Sequence, residues 1–238
     1  MLNKSMKIAI LGYGRMGKTI ERYSFDRNHE IVFILDKDQE QGDLALAEVA
    51  INFSVPEAAV SNIKLAMKHK IPVVSGTTGW LDDYEEVTSF CKAQKTAFLY
   101  ASNFSVGVNL FFKINRFIAK LMFAHKKDYK AGMKEIHHSQ KLDAPSGTAI
   151  TLAEEIINNS DYKKWSLNKD EKDLFIETVR EGEVPGTHII SYCSKIDEIS
   201  IKHEAYKRDG FALGAIIAAE WIIGKQGVFS MDDVLKID

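Results

Sequence analysis

A glycine-rich turn constrains this chain more than any other feature. Gly12-Tyr13-Gly14-Arg15-Met16-Gly17 spells G-x-G-x-x-G directly after the apolar run Lys7–Leu11 and just as the amphipathic stretch Met16–Asp26 begins. A strand that turns through such a run into a helix sets backbone N–H groups beside the positive end of that helix, and together they hold a pyrophosphate. Asp36 supplies the second half of the signal. It ends the next strand candidate 19 residues after Gly17, near the offset of about 20 at which an acid accepts hydrogen bonds from ribose hydroxyls. A plain glycine turn with a surface aspartate would leave the strand-turn-helix order unexplained. Asp36 repels a 2′-phosphate while Lys37 beside it can pair with one, so both residues bear on cofactor choice, and NADH and NADPH stay open.

From Lys7 to about Ala101 short apolar, β-branched runs alternate with amphipathic stretches, the pattern of a Rossmann-type, doubly wound parallel sheet. Strands are expected at Lys7–Leu11, Glu30–Asp36, Val49–Phe53, Pro72–Ser75 and Ala97–Tyr100, with helices at Met16–Asp26, Pro56–His69 and Asp82–Gln94. Two further loops leave strand candidates at their carboxyl ends, where open α/β sheets bind ligands. Gly76, Thr77 and Thr78, and then Ala101, Ser102, Asn103 and Phe104, are the candidate contacts for the nicotinamide half, although either loop taken alone reads equally well as a plain turn.

Val108–Phe123 reads as one buried helix, with Leu110, Phe111, Ile114, Phe117, Ile118, Leu121 and Met122 at helical spacing. After it the texture changes. Strand candidates cluster at Lys130–His137, Leu174–Val179, His188–Cys193 and Glu198–His203 around one helix, Ala149–Asn158, which predicts an α+β domain with an open mixed sheet. The boundary falls near Asn103–Gly107, giving a dinucleotide-binding domain over 1–104 and a second domain over 105–209. Asn158–Asp173 reads as an exposed connection, Gly210–Gly224 as apolar helix, and Ser230–Val234 as the start of a last short helix.

Composition removes several function classes. A formal net charge of −2 with scattered basic residues lacks the footprint of a nucleic-acid binder. No run approaches the roughly 20 apolar residues of a membrane span, and Ile8–Leu11 is too short for the core of a signal peptide. Cys91 and Cys193, 102 positions apart, form neither a metal motif nor a disulfide framework. A reduced, cytoplasmic compartment and no metal are expected.

The densest polar run is Glu135 to Thr148, where a strand gives way to a loop and then a helix. Neighbouring histidines on a strand point to opposite faces, so His137 and His138 share a site only if the strand ends there. The helix after Pro145 offers the N–H groups of Gly147 and Thr148 and the hydroxyls of Ser146 and Thr148, suited to a carboxylate or phosphate. With Lys141 and a histidine nearby, the ligand is expected to be anionic. The competing reading makes Ser146 a helix cap, Lys141 an exposed lysine and the histidines packing residues.

The run His137–Ala149, His-His-x-x-Lys-x-Asp-Ala-Pro-Ser-Gly-Thr-Ala, resembles the signature of the 4-hydroxy-tetrahydrodipicolinate reductases. Four further segments resemble that family in the same order: Gly14–Gly17, Gly76–Gly79, Asn103–Asn109 and Gly227–Leu235. The resemblance implies that His137 is the general acid, that Lys141 assists it, that His138 contacts the substrate, and that Gly147 and Thr148 hold one carboxylate. It implies hydride transfer from NADH or NADPH to a small cyclic dicarboxylate with loss of water, in the diaminopimelate route to lysine. It also implies a homotetramer joined through the second-domain sheets, and a final segment, about 210–238, packed back onto the first domain. Two departures stand out: the link from Asp36 to Val49 is shorter than in longer members, and the nucleotide turn is one residue tighter than in some. Arg208 and Phe211 lie in a stretch that either approaches the active site or simply starts a helix. A different two-domain dehydrogenase would share the nucleotide turn but not the His137–Thr148 run, and a nucleotide-sensing regulator would need a basic arm or helix-turn-helix that is not visible.

Overall fold

A computed structural model describes residues 5–37, 39–207 and 209–236. The chain folds as two units, one holding the residues up to Val106 together with those from Asp209 onward, the other running from Gly107.

In the first unit β1 (Lys7–Leu11) leads through the glycine turn into α1 (Arg15–Asp26), followed by β2 (Glu30–Asp36), β3 (Gln39–Gly42), β4 (Val49–Asn52), α2 (Pro56–Lys68), β5 (Val73–Ser75), α3 (Tyr84–Gln94) and β6 (Ala97–Tyr100). The chain then forms α4 (Val106–Phe123), β7 (Lys130–His137), α5 (Gly147–Ile157), β8 (Trp165–Ser166), β9 (Leu174–Arg180), β10 (Gly186–Cys193) and β11 (Glu198–Ala205). It ends with α6 (Gly210–Ile222), β12 (Gly227–Phe229) and α7 (Met231–Leu235).

The first sheet has the order β12-β6-β5-β4-β1-β2-β3, parallel throughout except for the antiparallel β2–β3 pair. Its middle strands are apolar without a break because both faces are covered. Ile8, Ile10, Val49 and Ile51 pack on one side with α1, α6 and α7, and Ala9, Leu11, Ala50 and Val73 pack on the other with α2 and α3. The order reverses between β1 and β4, which opens a crevice at their carboxyl ends. Helix α6 is apolar apart from Glu220, which pairs with Arg27 and His29, as suits a helix largely covered by the core. Gly214 within it is indispensable, since a Cβ there would lie 1.7 Å from the carbonyl oxygen of Phe104.

The second unit carries the mixed sheet β11-β10-β7-β9-β8, with β7 antiparallel to β10 and parallel to β9. Met133, Ile176 and Ile190 of this sheet pack with Phe111, Ala119 and Met122 of α4 and with Leu152, Ala153 and Ile156 of α5. The doubly wound sheet and the second mixed sheet both match the sequence expectation.

Several expectations need correction. Helix α4 is buried only along Val108, Phe111, Asn115, Ala119 and Met122, while Leu110, Ile114, Phe117 and Leu121 are exposed. Hydrophobic spacing marks an apolar stripe but cannot say how much of it this chain covers. The stretch Asn158–Asp173 contains β8, which pairs with β9. The short link after Asp36 is a hairpin whose second strand, β3, is polar and exposed along its length, and β12 joins the sheet beside β6. Among the described residues, no helix is long and apolar enough to cross a membrane.

Candidate active site

The glycines of the nucleotide turn divide into two kinds. Gly12 has φ +98°, and a Cβ on it would lie 2.3 Å from the carbonyl oxygen of Phe53; a Cβ on Gly17 would lie 2.3 Å from the carbonyl oxygen of Gly12. Both serve the close packing of turn, helix and neighbouring strand. Gly14 is exposed, and a Cβ there would meet nothing within 4 Å. It precedes α1 without a side-chain cap, and the first turn of that helix carries no acidic residue. The free N–H groups and positive helix end therefore face open space, and the turn fits the pyrophosphate of a nicotinamide dinucleotide. Asp36 lies beside this turn, its Oδ1 accepting from the Tyr13 N–H at 3.4 Å. Tyr13 donates its hydroxyl to Glu21, Arg15 is exposed, and Met16 packs on the core. Lys37 is exposed in the β2–β3 turn with φ +51°.

The two other loops of this unit are less uniform than the sequence implied. Thr77 is buried, its hydroxyl accepting from the Ser54 N–H at 2.9 Å and from the Asn52 amide at 3.2 Å. Asn52 also donates to Ser75, and Trp80 donates to the Thr77 carbonyl. Thr77 thus pins its loop to the end of β4, while Thr78 beside it is exposed. A Cβ on Gly76 would strike the ring of Phe53 at 2.2 Å. Phe104 is 1% exposed, so its side chain belongs to the core. Ala101 is half-buried, Ser102 is exposed, and Asn103 accepts from the Ser105 N–H.

In the second unit the polar run gathers around the end of β7. His137 is the last residue of that strand and is buried, whereas His138 has left the strand and is half-buried. Period-two alternation places Glu135 on the same face as His137. Pairing brings the partners: His188 of β10 stands opposite Glu135, and Arg180 of β9 stands opposite His137. Glu135 is fully buried. Arg180 Nη2 donates to its Oε1 at 2.9 Å, and the Ser146 N–H donates to its Oε2 at 3.0 Å. Nδ1 of His137 is 3.5 Å from that same Oε2, and the His137 and His188 rings meet edge to face with centroids 5.1 Å apart.

Ser146 caps α5, its Oγ accepting from the Ala149 N–H at 3.1 Å and contacting His188 Nε2 at 3.2 Å. Its hydroxyl thus serves as a helix cap, and the N–H groups of exposed Gly147 and half-buried Thr148 are open donors at the same end. Lys141 pairs with both carboxylate oxygens of Asp143 at 2.7 Å. Arg180 also donates to the Asp143 carbonyl, which ties the loop to the sheet.

The charges of this cluster are set by burial. His188 is pushed down to about 4 by desolvation and then by His137, so it is neutral near pH 7. Desolvation also lowers His137, with Lys141, Arg180 and His138 adding to the effect and Glu135 opposing it. Burial alone would raise Glu135, but hydrogen bonds from Ser146 and Arg180 and the charge of His137 outweigh it, so the carboxylate stays ionised. Glu135, His137 and His188 place three ligand-type atoms within 4.8 Å of one another. The guanidinium and the amide already occupy Glu135, so the arrangement is that of a compensated buried carboxylate beside an acid–base group. Glu135, Arg180 and His188 were not singled out from the sequence, although the two-residue spacing of Glu135 and His137 could have revealed the first. Arg208 lies outside the described residues. Phe211 sits in the first turn of α6, shortly after Asp209, which accepts from Tyr23 and Arg22.

Comparison with known proteins shows the family. The family models for the N-terminal and C-terminal parts of dihydrodipicolinate reductase match residues 40–104 and 107–235. A 4-hydroxy-tetrahydrodipicolinate reductase of Christiangramia forsetii is 56% identical over 235 residues, covering 97% of this chain and 98% of that protein. One from Archaeoglobus fulgidus is 31% identical over 262 residues, covering 97% of this chain and all of its own length. Among solved structures, a dipicolinate-bound dihydrodipicolinate reductase from Paenisporosarcina sp. superposes with a TM-score of 0.77 at 23% identity, over 95% of this chain and 97% of that one; it supports the fold. With both parts of the family matched in order and a relative this similar along its whole length, the chain belongs to the dihydrodipicolinate reductase family.

Proposed function

We infer that this chain reduces 4-hydroxy-tetrahydrodipicolinate to tetrahydrodipicolinate, consuming NADH or NADPH and a proton and releasing water, a step of the diaminopimelate route to lysine. The observation that carries the reading is the end of β7, where a buried imidazole stands against an ionised carboxylate just ahead of an open helix N-terminus. In the first unit the Gly14 N–H side of the turn and Asp36 hold the dinucleotide, with Thr78, Ala101, Ser102 and Asn103 toward its nicotinamide half. The bound nicotinamide supplies the hydride. His137 delivers a proton to the substrate carbon, Lys141 stabilises developing negative charge, His138 contacts the substrate, and Gly147 with Thr148 holds one carboxylate.

Asp36 favours NADH and Lys37 admits NADPH, so both are accepted in this reading. The residues up to 104, with 210–238, serve dinucleotide binding, and 105–209 serve substrate binding and assembly into a cytoplasmic homotetramer. Free Cys91 and Cys193 fit a reducing compartment.

The test follows nicotinamide absorbance while substrate is generated in place from pyruvate and aspartate semialdehyde by the preceding synthase. Rapid, substrate-dependent oxidation is expected, and the ratio of kcat/KM for the two cofactors reports the balance of Asp36 and Lys37. No oxidation of either cofactor by well-folded protein would overturn the assignment.

A further inference from the structure

Glu135 has no solvent exposure, yet it carries a charge on the strand that presents the proposed general acid. A buried carboxylate persists only when its oxygens are hydrogen-bonded and its charge is paired. Arg180 and the Ser146 N–H meet both conditions, at 2.9 Å and 3.0 Å. These bonds fix the carboxylate so that Oε2 lies 3.5 Å from Nδ1 of His137, a buried nitrogen with no hydrogen-bond partner of its own. The opposite ring nitrogen, Nε2, faces Gly186, where an added Cβ would come to 3.2 Å. Absence of a side chain at Gly186 thus leaves space at Nε2, while Nδ1 faces a fixed negative charge.

We propose that Glu135 is a positioning residue: anchored by Arg180 and the Ser146 amide, it keeps a proton on Nδ1 of His137 and makes Nε2 the atom that delivers the catalytic proton. The inference rests on the reading of His137 as general acid. In the step, the Nε2–H bond of the imidazolium breaks, its electron pair stays on Nε2, and the proton forms the new C–H bond. The ring is left neutral with Nδ1–H retained, and a solvent proton reloads Nε2.

The electrostatics explain why such a residue is needed. His137 is faced by Lys141 and His138 from the loop, by Arg180 from β9 and by His188 from β10, and each of the first three disfavours a protonated ring, as burial does. Asp143 is already paired with Lys141. Glu135 is the facing group that opposes all of these. His188, neutral and in contact with Ser146, completes the packing without adding positive charge near pH 7.

Nitrogen NMR of 15N-histidine-labelled full-length protein tests this directly, with the His137 signal assigned by its loss in His137→Asn. The wild-type neutral ring is expected as the Nδ1–H tautomer. Glu135→Gln should mix the tautomers, move the titration to lower pH, and lower kcat/KM at neutral pH by about 10²-fold, the lower end of what a positioned acid contributes. The descending limb of its pH profile should shift to lower pH while NADH affinity is unchanged. Glu135→Asp, with the charge set back by one methylene, should recover part of both. A neutral wild-type ring protonated on Nε2 would overturn the proposal whether or not the variants fold, as would Glu135→Gln with wild-type tautomer and pH limb. Wild-type protein without turnover but with the Nδ1–H tautomer would overturn the general-acid reading and leave the anchoring intact.

Discussion

Replacing Gly14 and Gly17 separately by alanine should uncouple cofactor binding from stability, because one Cβ enters open space and the other enters backbone. At Gly17 the new Cβ would lie 2.3 Å from the carbonyl oxygen of Gly12, more than 1 Å inside the 3.4 Å at which ordinary contact begins. Helix α1 must move away from β1, and overpacking of this kind costs about 1–3 kcal/mol. At roughly 2–4 °C per kcal/mol for a chain of this size, a cost near the top of that range lowers Tm by about 6–12 °C. At Gly14 nothing stands within 4 Å and φ is −72°, which alanine adopts without strain. Stability should therefore hold, or rise by about 0.4–1 kcal/mol as the unfolded chain loses freedom. The methyl group would instead stand where a pyrophosphate approaches the first N–H groups of α1. Losing one hydrogen bond to a charged group, about 1.5–3 kcal/mol, weakens NADH binding by about 10- to 100-fold. Thermal melts with and without NADH, together with a fluorescence titration of NADH, measure both quantities. Gly14→Ala that binds NADH like wild type, or that melts as low as Gly17→Ala, would refute this division of the turn.

Further predictions follow from the second unit and the loop anchor. His137→Ala should lower turnover by about 10²- to 10⁴-fold while nicotinamide binding survives; steady-state kinetics and an NADH titration check this, and Lys141→Ala should fall in the same class. His188, held down to about 4 against an ordinary 6.5, binds its proton more readily in the unfolded chain, so its contribution favours folding above about pH 6.5 and is lost as pH falls toward about 4. The loss reaches at most about 3 kcal/mol, and urea melts across that window should show part of it disappear in His188→Phe. Thr77→Val removes the acceptor for the Ser54 N–H and the Asn52 amide; a buried unsatisfied donor costs about 1–3 kcal/mol, measurable as a lower denaturation midpoint with little change in slope.

What the sequence made legible depended on how local each cause was. The strands β1, β2, β6 and β7 begin and end where their residue patterns placed them: β1 and β6 are short runs buried almost throughout, β1 stopping at Gly12, while β7 alternates buried and partly covered residues up to His137. The polar edge strand β3 escaped notice because its exposed residues, Gln39 to Gly42, carry no hydrophobic pattern. Strands β8 and β12 are two and three residues long, too short for any period to show. The site divides in the same way. His137, Lys141, Gly147 and Thr148 lie within one loop and helix start, so their chemistry was readable as a run, and Ser146 was visible as a cap or a ligand with nothing local to choose between them. Its other neighbours are not local in the same way: Glu135 of β7 accepts from its N–H, and His188 reaches its hydroxyl only because β10 pairs with β7. Arg180, 45 positions from Glu135, arrives through the parallel β7–β9 pairing, a relation that exists only once the sheet has formed. The residues of a candidate site can therefore sit in one segment of sequence while the groups that hold their charges in place are supplied by topology: Glu135 shares a strand face with His137, but the Arg180 that fixes its carboxylate arrives only by strand pairing.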